Sequence, residues 1–178
     1  MEIIVVLNNI RSVYNVGSVF RTCDAARSAD STNSLQAGSG RAGVSKIFLI
    51  GVTPTPLDRF GKFRADFLKV ALGAEKTVTW EYFKNFGAVY RKLRKEGYKV
   101  LAVEQDKRSI PYYKWKPFDF AQGENQRVAL IFGEETKGLP KSVLDKCDKI
   151  LEIPMRGKKE SLNVAVAAGI VLFRMVLP

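Results

Sequence analysis

Ser161 and Asn163 place a hydroxyl and an amide at the start of one of the most apolar stretches of the chain, Val164 to Phe173. A helix that only filled a core would not need polar groups there. Side chains of this kind supply the few oriented hydrogen bonds of a binding pocket whose wall is otherwise apolar. The simpler interpretation is that one of them caps the helix, since Ser and Asn are both favoured at the N-cap.

Two further segments, residues 8–26 and 130–140, also hold polar side chains that the local pattern does not require. Their polar residues and the glycines beside them are Asn15, Arg21, Gly133, Glu135 and Gly138. Each has a structural explanation when taken singly: a cap, a surface cation, a solvated carboxylate and two turn formers. Together they are candidates for a site that joins three distant parts of the chain.

The chain contains no histidine, which removes the commonest general base and the commonest metal ligand together. Its two cysteines, Cys23 and Cys147, have no metal-ligand spacing and lie in apolar settings, so we interpret them as reduced core thiols without a disulfide. Oxygen-ligand clusters are also lacking from the sequence. We therefore expect no metal, and any catalysis would have to use other groups.

The charge of the chain points to a polyanionic partner. Twenty-nine Lys and Arg against 18 Asp and Glu give a formal net charge of +11, which suits nucleic acid or an anionic membrane surface. Basic and aromatic residues combine in residues 106–118, DKRSIPYYKWKPF, a pairing that lets a loop hold phosphates and stack bases. Nucleic acid is the favoured interpretation, RNA and DNA stay undistinguished, and a generally basic surface is the simpler alternative.

No membrane segment or leader is predicted. The apolar run from Val164 to Phe173 is about half of the roughly 20 residues that a spanning helix needs. The start of the chain, MEIIVVLNN, has neither a basic region nor a small-residue cleavage site. We expect a cytoplasmic protein.

The elements that must position these residues follow an alternating order. Five short apolar runs predict strands: residues 2–7, 46–51, 98–104, 127–133 and 149–154. Between them lie helical patterns, one with Asn15 as N-cap and one over residues 79–97 that ends at Gly97. This order predicts a single α/β domain over residues 1–178, with a mostly parallel sheet, helices on both faces and sites at the carboxyl ends of the strands.

A flexible insertion is predicted at residues 27–43, between the first helix and the second strand. It contains a G-x-G-x-x-G pattern, Gly38, Gly40 and Gly43, but the pattern precedes a strand, whereas a dinucleotide fingerprint follows one. Residues 133–140 imitate a phosphate loop without its Lys-Ser/Thr pair. A nucleotide-binding enzyme of another class, such as an NAD-dependent oxidoreductase, is therefore a weaker alternative.

In this order the three polar segments resemble the SpoU/TrmH family of the SPOUT RNA 2′-O-methyltransferases. The residues that carry the resemblance are Asn15, Gly17 and Arg21 in the first motif, Gly133, Glu135 and Gly138 in the second, and I-P-M-x-G-x-x-x-S-L-N-V from Ile153 to Val164 in the third. The motifs extend across residues 8–170, nearly the whole chain. The insertion at 27–43 departs from the family, where this connection looks short.

The resemblance implies S-adenosylmethionine as methyl donor and the ribose 2′-hydroxyl of a tRNA or rRNA as acceptor, without a metal. It also implies an α/β domain with a C-terminal trefoil knot and a homodimer whose active site borrows from both subunits. The last helix, apolar on all sides from Val164 to Phe173, agrees with a dimer, although burial inside one monomer would give the same pattern. A non-catalytic RNA-binding protein that retains the knotted fold is the alternative.

The roles that the resemblance implies can be placed on this sequence. Arg21 would act as base with help from an RNA phosphate, or as a clamp that holds that phosphate, because a guanidinium normally stays protonated. Asn15 would orient Arg21 or the ribose, and Ser161 and Asn163 would lie over the methyl-transfer site. Glu135 would fix loop geometry or the arginine of the other subunit.

The cofactor and the RNA would occupy different residues. The predicted cofactor contacts are Gly133, Ile153, Met155, Ser161 and Leu162. The predicted RNA contacts are Arg21, Arg156, Lys158 and Lys159. A solvated basic loop is the simpler interpretation of the last three.

Overall fold

A single parallel sheet organises the computed structural model, which describes residues 1–27, 43–116 and 126–177. Within those ranges the strands are β1 Glu2–Asn8, β2 Gly43–Ile50, β3 Trp80–Phe83, β4 Lys99–Val103, β5 Ile110–Pro111, β6 Arg127–Phe132 and β7 Lys149–Glu152. Their order across the sheet is β3-β2-β1-β6-β4-β7-β5, and all pairs are parallel. All the described strands therefore direct their carboxyl ends to the same edge. A single domain over residues 1–178 stays a prediction.

Helices cover both faces of this sheet. They are α1 Val13–Ala25, α2 Ala65–Ala71, α3 Ala74–Thr77, α4 Phe86–Lys95, α5 Lys141–Leu144 and α6 Val164–Val176, with a 3-10 turn at Tyr112–Lys114. Buried side chains of α1, α2, α3 and α6 pack in one core cluster, and those of α4 and α5 in a second. The side chains of β1 from Ile3 to Leu7 are buried on both faces, as expected for a covered parallel strand. The predicted α/β architecture is confirmed.

The five predicted strands are present, but the helix predicted over residues 79–97 was wrong in its first part. Trp80–Phe83 forms β3 and pairs with β2 at one edge of the sheet. The aromatic residues of this segment favour a strand, and their spacing imitated a helical face. Asn85 then caps α4, its side chain accepting from the amide of Ala88 at 3.1 Å. Gly97, with φ at +76°, follows the end of that helix.

The first helix begins earlier than predicted. Ser12 is its N-cap, and the Ser12 hydroxyl accepts from the amide of Asn15 at 3.2 Å. The assignment of Asn15 as N-cap was therefore wrong, and the Asn15 side chain is free to make contacts outside the helix. The inward face of the helix holds Val16, Val19, Phe20 and Cys23, and the ring of Phe20 packs edge-on against Phe67 at 5.2 Å between centroids.

Most of the insertion predicted at residues 27–43 lies outside the described residues, including Gly38 and Gly40 of the G-x-G-x-x-G pattern. Its two ends are described. Arg27 donates from Nη1 to the carbonyl of Thr77 at 2.7 Å, and Gly43 is the first residue of β2. The ends are thus fixed to the sheet and to α3.

The basic and aromatic segment at residues 106–118 contributes mainly to the fold. Ile110 and Pro111 pair with β7, Tyr112 packs against the core, and Trp115 is only 6% exposed. Arg108 is held by the carboxylates of Asp106 and Asp145. Residues 117 and 118 lie outside the described part. Trp115 is therefore used inside the protein, whereas Tyr113 is 47% exposed, and base stacking by this segment stays a prediction.

Both cysteines are free thiols. Cys23 is buried, and burial raises the pKa of its thiol far above the ordinary value. Burial also raises the pKa of the Cys147 thiol, to about 12. Neither thiol is therefore prone to ionise near neutral pH.

In the described part of the chain, no helix has the length and apolar character needed to cross a membrane.

Candidate active site

A cavity of about 290 Å³ opens at the carboxyl ends of β4, β6 and β7. Because the strands are parallel, the loops that follow them meet at this edge. Its lining consists of Val103, Glu104 and Gln105 at the end of β4 and after it, residues 132–138 at the end of β6 and after it, Ile153 and Met155 after β7, and Ser161, Leu162, Val164 and Ala167 just before α6 and in its first turn. The second and third motifs therefore form one wall.

The loop after β6 is folded tightly against itself at its two glycines. A Cβ atom on Gly133 would lie 2.5 Å from the carbonyl carbon of Gly138 and 2.6 Å from the amide nitrogen of Leu139. Gly138 has φ at +64° and donates its amide to the carbonyl of Glu134 at 2.9 Å. Only glycine fits Gly133 without moving the backbone that lines the cavity.

Glu104 is a lining residue that the sequence analysis missed. Its carboxylate accepts hydrogen bonds from the amide of Leu139 at 2.8 Å and from the amide of Gln105 at 3.0 Å. The side chain therefore ties the loop after β4 to the loop after β6. A signal for it was present, since Glu104 ends a predicted strand whose carboxyl end lies at the edge where parallel α/β proteins bind ligands.

The three motifs are joined by a chain of hydrogen bonds. The side-chain amide of Asn163 donates to Oδ1 of Asn15 at 3.0 Å, and the amide of Asn15 donates to Oε1 of Glu135 at 2.7 Å. Oδ1 of Asn163 accepts from the backbone amide of Ala165 at 2.9 Å, so Asn163 is the N-cap of α6. The cap fixes which end of Asn163 faces Asn15, and every later bond follows this direction up to the carboxylate.

Glu135 receives these donors as a carboxylate. Burial alone would raise its pKa, but hydrogen bonds from Asn15 and from the backbone amides of Glu135, Arg11 and Ser12 together hold the pKa below the ordinary value of 4.5. A carboxylate with a lowered pKa is a weak base. Its geometry supports the predicted role of fixing the loop rather than removing a proton.

We expect the free energy of unfolding to depend less on pH in the acid range in Glu135→Gln than in the wild type. The lowered native pKa means that the ionised group stabilises the fold fully above about pH 4.5, and that this contribution is lost as the pH falls through the native pKa. The effect is small because Glu135 is partly exposed. Urea unfolding at a series of pH values measures it, with Glu160→Gln in the neighbouring loop as control. Identical pH dependence of wild type and Glu135→Gln would contradict it.

Arg21 lies apart from this cluster in the single chain. It lies on the exposed side of α1, on the same face as Tyr14 and Ser18, and it does not line the cavity. Its guanidinium makes no hydrogen bond or ion pair with any described residue. The predicted contact from Asn15 to Arg21 is not formed, because Glu135 and Asn163 occupy the Asn15 side chain.

The remaining predicted residues divide between the cavity and its border. All five predicted cofactor contacts line the cavity: Gly133, Ile153, Met155, Ser161 and Leu162. Arg156, Lys158 and Lys159 are exposed on the loop that leads from β7 to α6. Within the described ranges, no three His, Cys, Asp or Glu side chains are grouped as a metal site would need.

Residues 41–173 match the model of the SpoU rRNA Methylase family, which is well over half of the chain. The chain belongs to this family. Its membership confirms the resemblance drawn from the three motifs and removes the assignment to an unrelated nucleotide-binding class. It also implies the trefoil knot predicted above.

Members of the family with known names align over almost all of the chain. The 23S rRNA (guanosine-2′-O-)-methyltransferase RlmB of Salmonella typhi is 28% identical over 173 residues, which cover 97% of this chain and 59% of RlmB. The AdoMet-bound rRNA methyltransferase from Sinorhizobium meliloti is 27% identical, with a TM-score of 0.77 over 98% of this chain and 55% of that chain. The chain thus spans less than two thirds of these relatives.

Another solved structure matches in length as well. It concerns the 2-OH methylation of C/U34 on tRNA and is 25% identical, with a TM-score of 0.70. The alignment covers 98% of this chain and 93% of that chain. The proteins that this chain resembles therefore include rRNA methyltransferases and one protein whose structure concerns methylation of tRNA.

Proposed function

We propose that the protein transfers a methyl group from S-adenosylmethionine to a ribose 2′-hydroxyl of RNA. The observation that carries the proposal is that the second and third motifs line one and the same cavity, to which Asn15 of the first motif is joined through Glu135 and Asn163. The names of the relatives support it, since RlmB is a 2′-O-methyltransferase and the Sinorhizobium enzyme binds AdoMet.

The cavity fits this donor in size and in charge. Its volume of about 290 Å³ is just below the range for small-molecule sites, about 300–1,000 Å³. Its described lining carries three carboxylates, Glu104, Glu134 and Glu135, against the single cation of Lys137, in a chain with a net charge of +11. A sulfonium with an amino group complements such a lining, whereas the pyrophosphate of NAD would be repelled.

The residues of the cavity would hold and orient the donor. When bound, S-adenosylmethionine supplies an electrophilic methyl group. Ile153, Met155 and Leu162 offer apolar contacts for the adenosine, and the close turn at Gly133 exposes backbone groups to it. Ser161 lines the same wall and is placed to orient the acceptor ribose together with Asn163. Orienting two reactants in this way removes much of the entropic cost of their reaction.

The acceptor side of the reaction requires a cation. Among the described residues that line the cavity, only Lys137 carries a positive charge. We assign that role to Arg21, delivered from the partner copy of a homodimer. A guanidinium can bind an RNA phosphate through two hydrogen bonds and stabilise negative charge on the 2′-oxygen. The 2′-hydroxyl loses its proton to solvent water as its oxygen gains the methyl group and S-adenosylhomocysteine leaves, and Arg21 holds the phosphate beside it.

An exposed apolar stripe on α6 supports the homodimer. Val166, Ile170 and Phe173 share one side of the helix, and Leu177 directly follows its end; all except the half-buried Ile170 are exposed. The neighbouring helix α1 adds Tyr14, which is 70% exposed, on the face that carries Arg21. Ala167, next to Val166, lines the cavity. A second copy covering this stripe would therefore lie close to the site.

We expect Phe173→Glu to separate the dimer. A charge in the middle of the apolar stripe would have to be buried without a partner, which we expect to weaken association at least about 30-fold. Light scattering after size exclusion measures the mass over a dilution series. The control is Leu72→Glu, an exposed apolar position at the end of α2. A wild-type monomer, or a dimer that Phe173→Glu leaves unchanged, would contradict the assignment.

The RNA class is proposed only as tRNA or rRNA, in agreement with the relatives that act on each. Arg156, Lys158 and Lys159, exposed beside the cavity, are proposed contacts to the RNA backbone. Such substrates place the protein in the cytoplasm. A non-catalytic RNA-binding protein is the alternative, and it would bind RNA without using the cofactor cavity.

Calorimetry with S-adenosylmethionine and NAD separates these possibilities. We expect S-adenosylmethionine to bind with one site for each chain and NAD not to bind. Release of S-adenosylhomocysteine on addition of RNA from cells that lack the gene would then show turnover. RNA binding without any affinity for S-adenosylmethionine would overturn the enzyme assignment and leave the non-catalytic alternative.

A further inference from the structure

A rigid turn connects β2 to α2 at residues 57–64, and we refer to it as the Phe60 turn. Leu57 and Phe63 form an antiparallel bridge across it. The carboxylate of Asp58 accepts from the amides of Phe60 at 2.8 Å and Lys62 at 2.9 Å, and the amide of Asp58 donates to the carbonyl of Lys62 at 2.8 Å. Gly61 supplies the positive φ, +75°, that closes the turn. The backbone is therefore held in one shape.

This turn displays aromatic rings and cations to solvent. Phe60 is 72% exposed, and the guanidinium of Arg59 lies 4.7 Å from the centroid of its ring. Phe63 is also exposed, with Nζ of Lys76 at 5.9 Å from its ring. Neither Arg59 nor Lys62 forms an ion pair with a described residue. A turn that only connected two elements would need neither exposed rings nor unpaired cations.

The Phe60 turn starts from the same edge of the sheet as the cavity. β2 lies three strand positions from β4, which at about 4.8 Å for each step places their ends about 14 Å apart. The hydroxyl of Thr53, just after β2, accepts from the amide of Ile10 at 3.1 Å, and its own proton lies within reach of the carbonyls of Ile50 at 2.7 Å and Leu7 at 3.1 Å. The base of the turn is thus fixed to the segment that leads into α1 and Asn15.

We propose that the Phe60 turn binds single-stranded RNA next to the nucleotide that is modified. The ring of Phe60 stacks on an unpaired base, and Arg59 and Lys62 contact the phosphates on either side. Aromatic rings combined with cations bind single strands in this way because every base has a stacking face and every nucleotide a charge. The inference rests on the proposed function, in which the substrate is RNA, and the positive charge of the turn favours RNA over a protein partner.

The test compares full-length variants for binding of a fluorescein-labelled oligouridylate, followed by fluorescence anisotropy. Phe60→Ala should weaken binding about 10-fold, and Phe60→Trp should retain it because indole also stacks. Arg59→Ala should lower the slope of log affinity against log salt by about one. Leu72→Ala removes an exposed apolar side chain on α2 and should leave binding unchanged.

The inference would be overturned by unchanged affinity in Phe60→Ala, by equal losses in Phe60→Ala and Phe60→Trp, or by a wild-type protein that does not bind the oligouridylate. A changed oligomeric mass in Phe60→Ala would also overturn it, because the turn would then be a protein contact. Titration of the wild-type protein with S-adenosylmethionine in a calorimeter separates the two proposals. Absence of cofactor binding would defeat the enzyme assignment, whereas absence of oligouridylate binding would defeat the present inference.

Discussion

Arg21→Ala is expected to lower the rate of methyl transfer about 10²- to 10³-fold while leaving the affinity for S-adenosylmethionine unchanged. Arg21 is exposed on α1 and lies outside the cavity lining, so its removal should not disturb the donor site. The loss arises because nothing else in the described lining except Lys137 offers a positive charge to the RNA phosphate and the 2′-oxygen. Single-turnover kinetics with saturating donor measures the chemical step.

Two further variants sharpen this test. Arg21→Lys keeps the charge but loses the two-pronged geometry of the guanidinium, so it should also be badly impaired. Arg91→Ala is the matched control, since Arg91 is an exposed arginine on α4, whose buried side chains belong to the other core cluster. Equal rates for Arg21→Ala and Arg91→Ala would remove Arg21 from the mechanism.

Mixing subunits tests whether Arg21 acts across the dimer. A dimer of one Arg21→Ala chain and one Gly133→Ala chain combines an intact cavity in the first chain with an intact arginine in the second. If the arginine comes from the partner copy, one site of this dimer pairs the cavity of the Arg21→Ala chain with Arg21 of the other chain. The mixed dimer should then recover about half of the wild-type rate. Its failure to recover would place Arg21 in the same subunit as the cavity that it serves, or outside the site.

Gly133→Ala is expected to weaken the binding of S-adenosylmethionine about 10- to 100-fold. The added Cβ would meet the backbone of Gly138 at 2.5 Å and of Leu139 at 2.6 Å, so the loop that lines the cavity has to move. Overpacking of this kind costs about 1–3 kcal/mol. The hydrogen bond from Leu139 to Glu104 would be displaced by the same movement, which spreads the change to the loop after β4.

Calorimetry measures this loss, and Gly157→Ala is the control. Gly157 lies in the loop between β7 and α6, where a Cβ would meet nothing within 4 Å. Unfolding by urea should show that Gly133→Ala remains folded, so that the lost affinity reflects the site. Equal donor affinity in the two alanine variants would mean that the loop after β6 does not hold the donor.

The main elements and the location of the cavity were accessible from the sequence for a physical reason. Buried parallel strands require continuous apolar runs, and the loops at their carboxyl ends must meet, so the residues after β6 and β7 could be placed together in advance. Glu104 obeys the same rule at the end of β4, yet it was overlooked because no motif marked it.

Features set by tertiary contacts were harder to predict. The spacing of aromatic residues in Trp80–Phe83 fits a helix, and only pairing with β2 makes the segment a strand. Asn15 has the side chain of a good cap, but Ser12 begins the helix and leaves Asn15 to join Glu135 and Asn163. No local pattern contains a contact between residues 148 positions apart.

Local composition does not show which aromatic rings the fold leaves exposed. Residues 106–118 are rich in basic and aromatic side chains, but Trp115 is buried and Arg108 is held by two aspartates. Phe60 and Arg59 lie in a less conspicuous stretch and are displayed because Asp58 and Gly61 shape the turn around them. Exposure, which decides whether a ring can stack on RNA, depends on the folded chain and not on local composition.

The most direct test is to incubate the purified protein with S-adenosylmethionine labelled in its methyl group and RNA from cells that lack the gene. The RNA is then digested to nucleosides and analysed by mass spectrometry. The account predicts label in a 2′-O-methylated nucleoside, and none when Arg21→Ala replaces the wild type over the same time. Label on a base, or no labelled nucleoside despite bound donor and RNA, would contradict it.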